Sequence, residues 1–479
     1  MSKPLVLTCD IGTQSARALL VDPDGRIVDV VQSKYAEPYF SKEPGWAEQK
    51  PNFYFDRLCE CCRELCARSN ALLPDVIAMT ITVIRDTVVC LDANNEPLRD
   101  IILWLDKRTV DPNGAMPAKN MMLFKVAGME PTAKVVYAAS VGNWIMRHEP
   151  EIWARTAKYV MLPTYLNYKL TGNLIDSASN QIGHIPFDYK NRRWMKPGSL
   201  TRCFCDVPNE KLCDLVPSGT VIGTVTDEVC ALTGIPAGLP LISTGSDKGC
   251  ETLGLAVVDS DKASISLGTT ATIQFSTTEY VEPQQFLPAY PGVLNDHYNP
   301  EIEIYRGLWL LSWFVKEFGT ADAIDAKEKG MAPEALLDER IRDLPAGSDG
   351  LLLQPYWTAG ILHPDSLGAV IGFSDYHALP LLPRHHRGPV PGAVHGAAHH
   401  GGPLGSDHSR DPHRRRRRKK RRGLPDRGGR VRPAGRALAD ARGVLHRFVH
   451  GRVRGQGRVR RFRRRGQSHG PRQGYVPAQ

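Results

Sequence analysis

The segment Thr244-Gly245-Ser246-Asp247-Lys248-Gly249 presents a carboxylate in a glycine-flanked turn directly after the apolar run LPLIS. A carboxylate so placed can accept the proton of a hydroxyl as that hydroxyl attacks an electrophile, which makes Asp247 a candidate base. An aspartate ahead of a helical run such as KGCETLGLA is also a common helix cap, and Lys248 reads as a solvated or first-turn side chain with no role. A second group, Asp10-Ile11-Gly12-Thr13-Gln14-Ser15-Ala16-Arg17, closes the first apolar run. Its tight turn offers backbone N–H groups and two hydroxyls to a phosphate, and its strand-end carboxylate can hold a hydrated Mg²⁺. The same residues also make an ordinary hairpin with a polar tip. Ser266-Leu267-Gly268-Thr269-Thr270 repeats that logic. Alone it fits many hairpins; paired with the first group it suggests two loops closing on one nucleotide. A phosphoryl transfer needs that combination of base and charge neutralisation.

The elements that must position these groups alternate. LVLTCD, ARALLVD and the stretch after Asp24-Gly25 read as three strands joined by turns, with Asp-Gly a hairpin signal. DVIAMTITV (75–83) and TVVCLDANNEPLRD read as further strands, the latter turning at Asn94-Asn95, with helical patterns between them. This alternation predicts an α/β fold of layered sheets and helices. A chain of 479 residues exceeds one ordinary core. LPLISTGSDKG and the strand pair ASISLGTTATIQFST read as the start of a second, similar cycle, which predicts a duplicated fold with a ligand cleft between halves meeting near residue 242. Domains are therefore expected at 1–242 and 243–377, with a basic low-complexity segment over 378–479.

The N-terminus MSKPLVLTCDIG lacks the pattern of a signal peptide, and no run of about 18 apolar residues suggests a membrane span. A cytoplasmic protein without membrane contact is expected. Eleven cysteines, an odd number, favour reduced thiols over a disulfide framework. Cys59, Cys61, Cys62 and Cys66 fall in an amphipathic helical stretch without a second ligand pair at zinc spacing, so they read as thiols rather than a metal site.

The formal charge of +10 divides unevenly. Residues 377–479 hold 27 Lys and Arg against four Asp and no Glu, or +23, which leaves 34 against 47, or −13, for residues 1–376. That segment also contains 11 of the 15 histidines and no Ile, Thr, Asn, Cys, Met or Trp, a composition foreign to a helix-and-sheet domain. RRRRRKKRR (Arg414 to Arg422) would suit a disordered nucleic-acid arm, yet it has no aromatic residues to stack on bases. A slip of reading frame near His377 accounts for more. Permissible codons read one base out of register give TRFHFYRAIIEG after GFSDYH, which continues as a helix, and the arginine run becomes four glycines after a strand. We adopt the frame slip and expect no nucleic-acid partner.

The three groups, in this order and spacing, resemble the FGGY carbohydrate kinases. GWAEQKP (Gly45 to Pro51), ITVIRDTVVCLD (Ile81 to Asp92), ILWLDKR (Ile102 to Arg108), HEPEIW, YKLTGN and GFSDYH extend the likeness over residues 4–377. The resemblance implies two actin-like, ribonuclease-H-like domains flanking a cleft, the second incomplete as written, and the cofactors ATP and Mg²⁺. It implies a kinase of a small sugar or polyol, first a pentulose such as xylulose, with glycerol or another polyol as alternatives. An inactive nucleotide-binding protein on the same scaffold is the other alternative, and a homo-oligomer is left open.

By the same likeness Asp247 is the catalytic base and Asp10 the magnesium-side carboxylate. Thr13, Gln14, Ser15 and Arg17 form one phosphate loop, and Gly268, Thr269 and Thr270 the other. Arg85 and Asp86 fall at the substrate hydroxyls, where glycerol kinases have Arg-Glu and xylulokinases Met-His, a departure from both. Trp104, Asp106 and Arg108 border the sugar, although an Asp-x-Arg pair is also a plain structural ion pair. Thr164 stands where members carry Asp, which affects packing more than chemistry. Tyr305 to Gly319 resembles the helix lining the nucleotide, with Trp309, Trp313 and Phe314 expected in the core. The chain as written would be impaired, lacking the adenosine-binding glycine loop. Resequencing the DNA across codons 370–385 is expected to show one base gained or lost; an intact frame there would leave the basic segment genuine.

Overall fold

The computed structural model describes residues 3–268, 270–284, 287–342, 350–358 and 366–373. Thr269, the proposed slip at His377 and the basic segment 378–479 lie outside the described residues.

The first sheet has six strands in the order Val221–Thr224, Pro240–Ile242, Val76–Val83, Leu5–Ile11, Ser15–Val21, Ile27–Lys34. Leu5, Leu7, Cys9 and Ile11 alternate into the core, the period of a strand with one face fully covered. Gly25, at φ +77°, takes the left-handed position that turns the second hairpin. Leu5–Ile11 pairs antiparallel with Ser15–Val21 on one side and parallel with Val76–Val83 on the other. Val76–Val83 is in turn parallel to Pro240–Ile242. The run LPLI therefore closes the first unit instead of opening a second cycle, which corrects the sequence expectation. A three-residue apolar strand is claimed by whichever edge lies open to it, and its own residues do not say which.

The helix Phe53–Arg68 lies against the antiparallel strands, burying Tyr54, Phe55, Leu58, Leu65 and all four of its cysteines. Those thiols are reduced, and burial lifts Cys59 and Cys66 to about 12. The Sγ of Cys62 lies 3.5 Å from that of Cys9. A separate four-stranded sheet, in the order Glu48–Gln49, Ile101–Ile102, Val88–Leu91, Lys158–Met161, flanks this layer.

The second unit begins at Ser264–Leu267, which pairs antiparallel with Ala271–Gln274 as expected, and Glu301–Ile304 adds the third strand. The helices Trp309–Phe318, Thr320–Glu328 and Pro333–Ile341 follow. Trp309, Trp313 and Phe314, expected in the core, are half-buried, and Leu310 is the buried residue of that helix. Trp313 meets Trp357 edge-on at 5.0 Å. No helix among the described residues is long and apolar enough to cross a membrane.

Thr164 explains its own departure. It is fully buried and donates its hydroxyl to Asp176 Oδ2 at 2.8 Å. Asn167, Asn180, Gln181 and the Ser177 N–H also donate to that carboxylate. An aspartate at 164 would set a second buried negative charge against it. Burial outweighs the donors and pushes the Asp176 carboxyl up to about 6. The folded chain therefore holds this proton more tightly than the unfolded chain, and the contribution of Asp176 to stability declines as pH rises from about 4 to about 6, by about 3 kcal/mol. Chemical denaturation across that range is expected to show this slope, and Asp176→Asn to flatten it.

Candidate active site

Parallel strands point their carboxyl ends the same way, so three adjacent ones deliver their following residues to one edge. Leu5–Ile11 carries Asp10, Val76–Val83 leads into Arg85 and Asp86, and Pro240–Ile242 leads into Asp247. Two cross-links fasten the last turn to the central strand. Thr82 Oγ1 donates to the Gly245 carbonyl at 3.1 Å, and Thr244 Oγ1 donates to the Ile81 carbonyl.

Asp247 is the first residue of the helix Asp247–Gly254, and the cap is Ser246, whose Oγ accepts from the Gly249 N–H at 3.3 Å. The capping role open to Asp247 in the sequence thus falls to its neighbour. Asp247 Oδ1 accepts the Lys248 N–H at 2.8 Å. Burial raises this carboxyl above its usual range, with Arg85 and Lys248 pulling it back. Lys248 is a first-turn residue, one of the two places read for it, and donates Nζ to Ser266 Oγ at 2.8 Å and to both Glu251 oxygens at 3.0 Å. It ties the helix of Asp247 to the strand that ends in the Gly268 turn.

Asp10 faces Arg17 across the first hairpin, Oδ2 accepting from Nη1 at 2.8 Å. Burial raises Asp10, Arg17 opposes it, and Glu251 and Lys248 also act on its charge. Asp10 and the helix of Asp247 therefore share one electrostatic neighbourhood. The Gly12 N–H closes the turn on the Ser15 carbonyl at 3.0 Å, with half-buried Thr13 and exposed Gln14 at its tip. Ser15 is not brought to that tip: it is buried, its Oγ 3.2 Å from the Gln32 amide. In the second turn the Gly268 N–H donates to the Thr270 carbonyl at 3.1 Å, and Thr270 Oγ1 to the Tyr305 carbonyl at 3.4 Å.

Arg85 crosses to the second unit, its Nη2 2.5 Å from Glu301 Oε1 and 4.0 Å from Glu303 Oε2. Its guanidinium lies 5.3 Å from the Tyr290 ring centre. Asp86 binds His184, Oδ1 accepting its N–H at 2.9 Å and Oδ2 lying 2.8 Å from Nδ1. This ion pair holds Asp86 below its ordinary range against the effect of burial. Trp104 donates Nε1 to Thr13 Oγ1 at 2.9 Å, joining the first turn to the segment after Ile101–Ile102.

Asp106 and Arg108 behave differently. Asp106 accepts from Arg108 Nε and Nη2 at 2.8 Å each and from the Ala47 N–H at 2.6 Å. Arg108 also lies 3.0 Å from Glu48 and 3.8 Å from the Trp46 ring centre. Both side chains are engaged in a buried network, as in the structural ion pair that the sequence left open beside a place at the sugar. An exposed polar pair and a buried ion pair have the same spelling in sequence.

Residues 5–254 match the N-terminal domain of the FGGY family of carbohydrate kinases. The chain belongs to that family. An uncharacterised sugar kinase of Escherichia coli K12 is 26% identical over 374 residues, covering 78% of this chain and 68% of the relative. A xylulose kinase of Bacillus subtilis is 24% identical over 388 residues, covering 78% and 72%. The crystal structure of a gluconate kinase from Lactobacillus acidophilus superposes with a TM-score of 0.67 at 21% identity, covering 83% and 77%. The fold of this FGGY kinase is thus the two-domain actin-like one.

Glu301, Glu303 and His184 went unread in the sequence, because each acquires its partner from a distant segment. The one local signal was Gly183. At φ +150°, a Cβ there would lie 2.3 Å from Asp86 Oδ1 and 2.9 Å from the Met161 methyl. Gly183→Ala is expected to destabilise the first unit by about 2 kcal/mol or more, read by chemical denaturation.

Proposed function

We propose that this FGGY kinase transfers the γ-phosphate of ATP to a hydroxyl of a small sugar or polyol, with a pentulose such as xylulose as the first candidate. The observation that carries the reading is the placement of Asp247. Its carboxylate stands at the joined ends of three parallel strands, beside Arg85, while the adjacent Lys248 reaches Ser266 in the strand that leads into the hydroxyl-rich turn of the second unit. Asp247 is the base that accepts or orients the proton of the attacking hydroxyl, and burial keeps its carboxyl basic enough to do so.

The residues present fit a nucleotide with its metal. Asp10, Asp247 and Glu251, with the Glu301 and Glu303 that share Arg85, outnumber Arg17, Lys248 and Arg85, and burial leaves both aspartates raised, a deficit that a divalent cation relieves. When bound, ATP supplies the phosphoryl group and Mg²⁺ neutralises its charge. Asp10 would hold the metal side. Thr13, Gln14 and Arg17 would face the phosphates from one wall, with Gly268, Thr269 and Thr270 on the other. Ser15 stays in the hairpin's hydrogen bonding and shapes that turn. Trp104 holds Thr13 in place and borders the sugar with Arg85 and Asp86, while Asp106 and Arg108 brace the segment behind it.

ADP release over a panel of pentuloses, glycerol, pentitols and gluconate tests the reading, in the chain as written and with the frame restored at residue 377. Turnover of a panel member by the frame-restored chain is expected, and none with any member would overturn the proposal. Asp247→Asn is expected to lower kcat by about a thousandfold, with sugar binding retained.

A further inference from the structure

The pair Asp86 and His184 takes no part in phosphate chemistry, yet the chain holds it against conformational cost. Asp86 has φ +50°, a left-handed conformation that a non-glycine residue adopts at a cost. Three contacts keep it there: its N–H donates to the Ile182 carbonyl at 3.0 Å, and its two oxygens take the N–H and Nδ1 of His184. Strain so over-determined marks a place where side-chain direction matters. The pair remains reachable, with side-chain exposures of 30% for His184 and 26% for Asp86. Its corner faces the second unit, since the charge of Asp86 acts on Glu303 and Tyr305 there. Because Nδ1 is committed to Asp86, Nε2 is the ring nitrogen left for a ligand.

The charges around this corner restrict what that ligand can be. Arg85 is already matched by Glu301 and Glu303. Counting Asp86 and Asp247 as well, four carboxylates face one guanidinium, one imidazole and the Lys248 ammonium. A sugar acid would add a further negative charge to this surplus, whereas an uncharged hydroxyl adds none.

We propose that His184, aimed by Asp86, hydrogen-bonds a hydroxyl of an uncharged sugar and so sets specificity, while the carboxylates around Arg85 exclude aldonates. This rests on the kinase reading above. A site built to bond a hydroxyl loses affinity when its own partner is removed, because the substrate group is left unpaired.

Calorimetric titration of the full chain with D-xylulose, glycerol and D-gluconate tests it. The wild-type chain is expected to bind xylulose or glycerol and to bind gluconate at least about tenfold more weakly. His184→Ala is expected to weaken the neutral ligand by about tenfold or more, and His184→Gln, which keeps a hydrogen-bonding group, to restore most of it. Equal or tighter binding of gluconate by the wild-type chain overturns the proposal without requiring any variant. Unchanged affinity in His184→Ala, or a loss as deep in a folded His184→Gln, overturns the role of His184 while leaving the kinase reading intact. Binding of none of the three sugars by the wild-type chain overturns the role of His184, whereas the kinase reading falls only if the frame-restored chain turns over no member of the wider panel.

Discussion

Three parallel strands, Leu5–Ile11, Val76–Val83 and Pro240–Ile242, lie side by side in one sheet, and the whole site depends on that adjacency. Neighbouring strands stand about 4.8 Å apart, so whatever follows their carboxyl ends is gathered within a narrow edge. Asp10, Arg85 with Asp86, and Asp247 are far apart in the chain and become neighbours for that reason alone. The strand Pro240–Ile242 is the weakest of the three by length, and the bonds from Thr82 and Thr244 compensate by pinning its exit turn to the central strand.

Electrostatics then give each gathered group its character. Burial raises Asp10 and Asp247, and the neighbouring cations only partly reverse that effect. Arg85 joins the units through buried Glu301, which also accepts from the Gln274 amide at 3.1 Å. The contrast with Asp106 and Arg108 is instructive: the same residue types, sealed between Trp46 and Trp144, are a brace. A charged group is available for chemistry when its protein partners leave lone pairs or donors unspent, and it is structural when they do not.

The two units differ in how much they bury. The first has a continuous core running from Leu5 to Leu241 through the helix Phe53–Arg68. Among the described residues of the second, the buried apolar cluster consists of Ala271 and Ile304. The strands and turns of the second unit next to the site are tied through Lys248, Glu301 and Tyr305, polar contacts to the site itself.

By itself the sequence determined the strands, the hairpins at Asp24-Gly25 and Asn94-Asn95, the amphipathic cysteine helix, the three candidate turns and the family. These are local properties: period, turn residues and motif spacing are written within a few residues of one another. Tertiary structure decided which edge claimed LPLI, that Ser246 and not Asp247 caps its helix, and that Ser15 turns inward. It also decided that Asp106 and Arg108 seal a buried network, that Lys248 bridges two elements, and that His184 and Glu301 take Asp86 and Arg85. Each of these depends on which distant group arrives next to a side chain. Burial and pairing energies are set by that neighbour, and no periodicity in the chain records it.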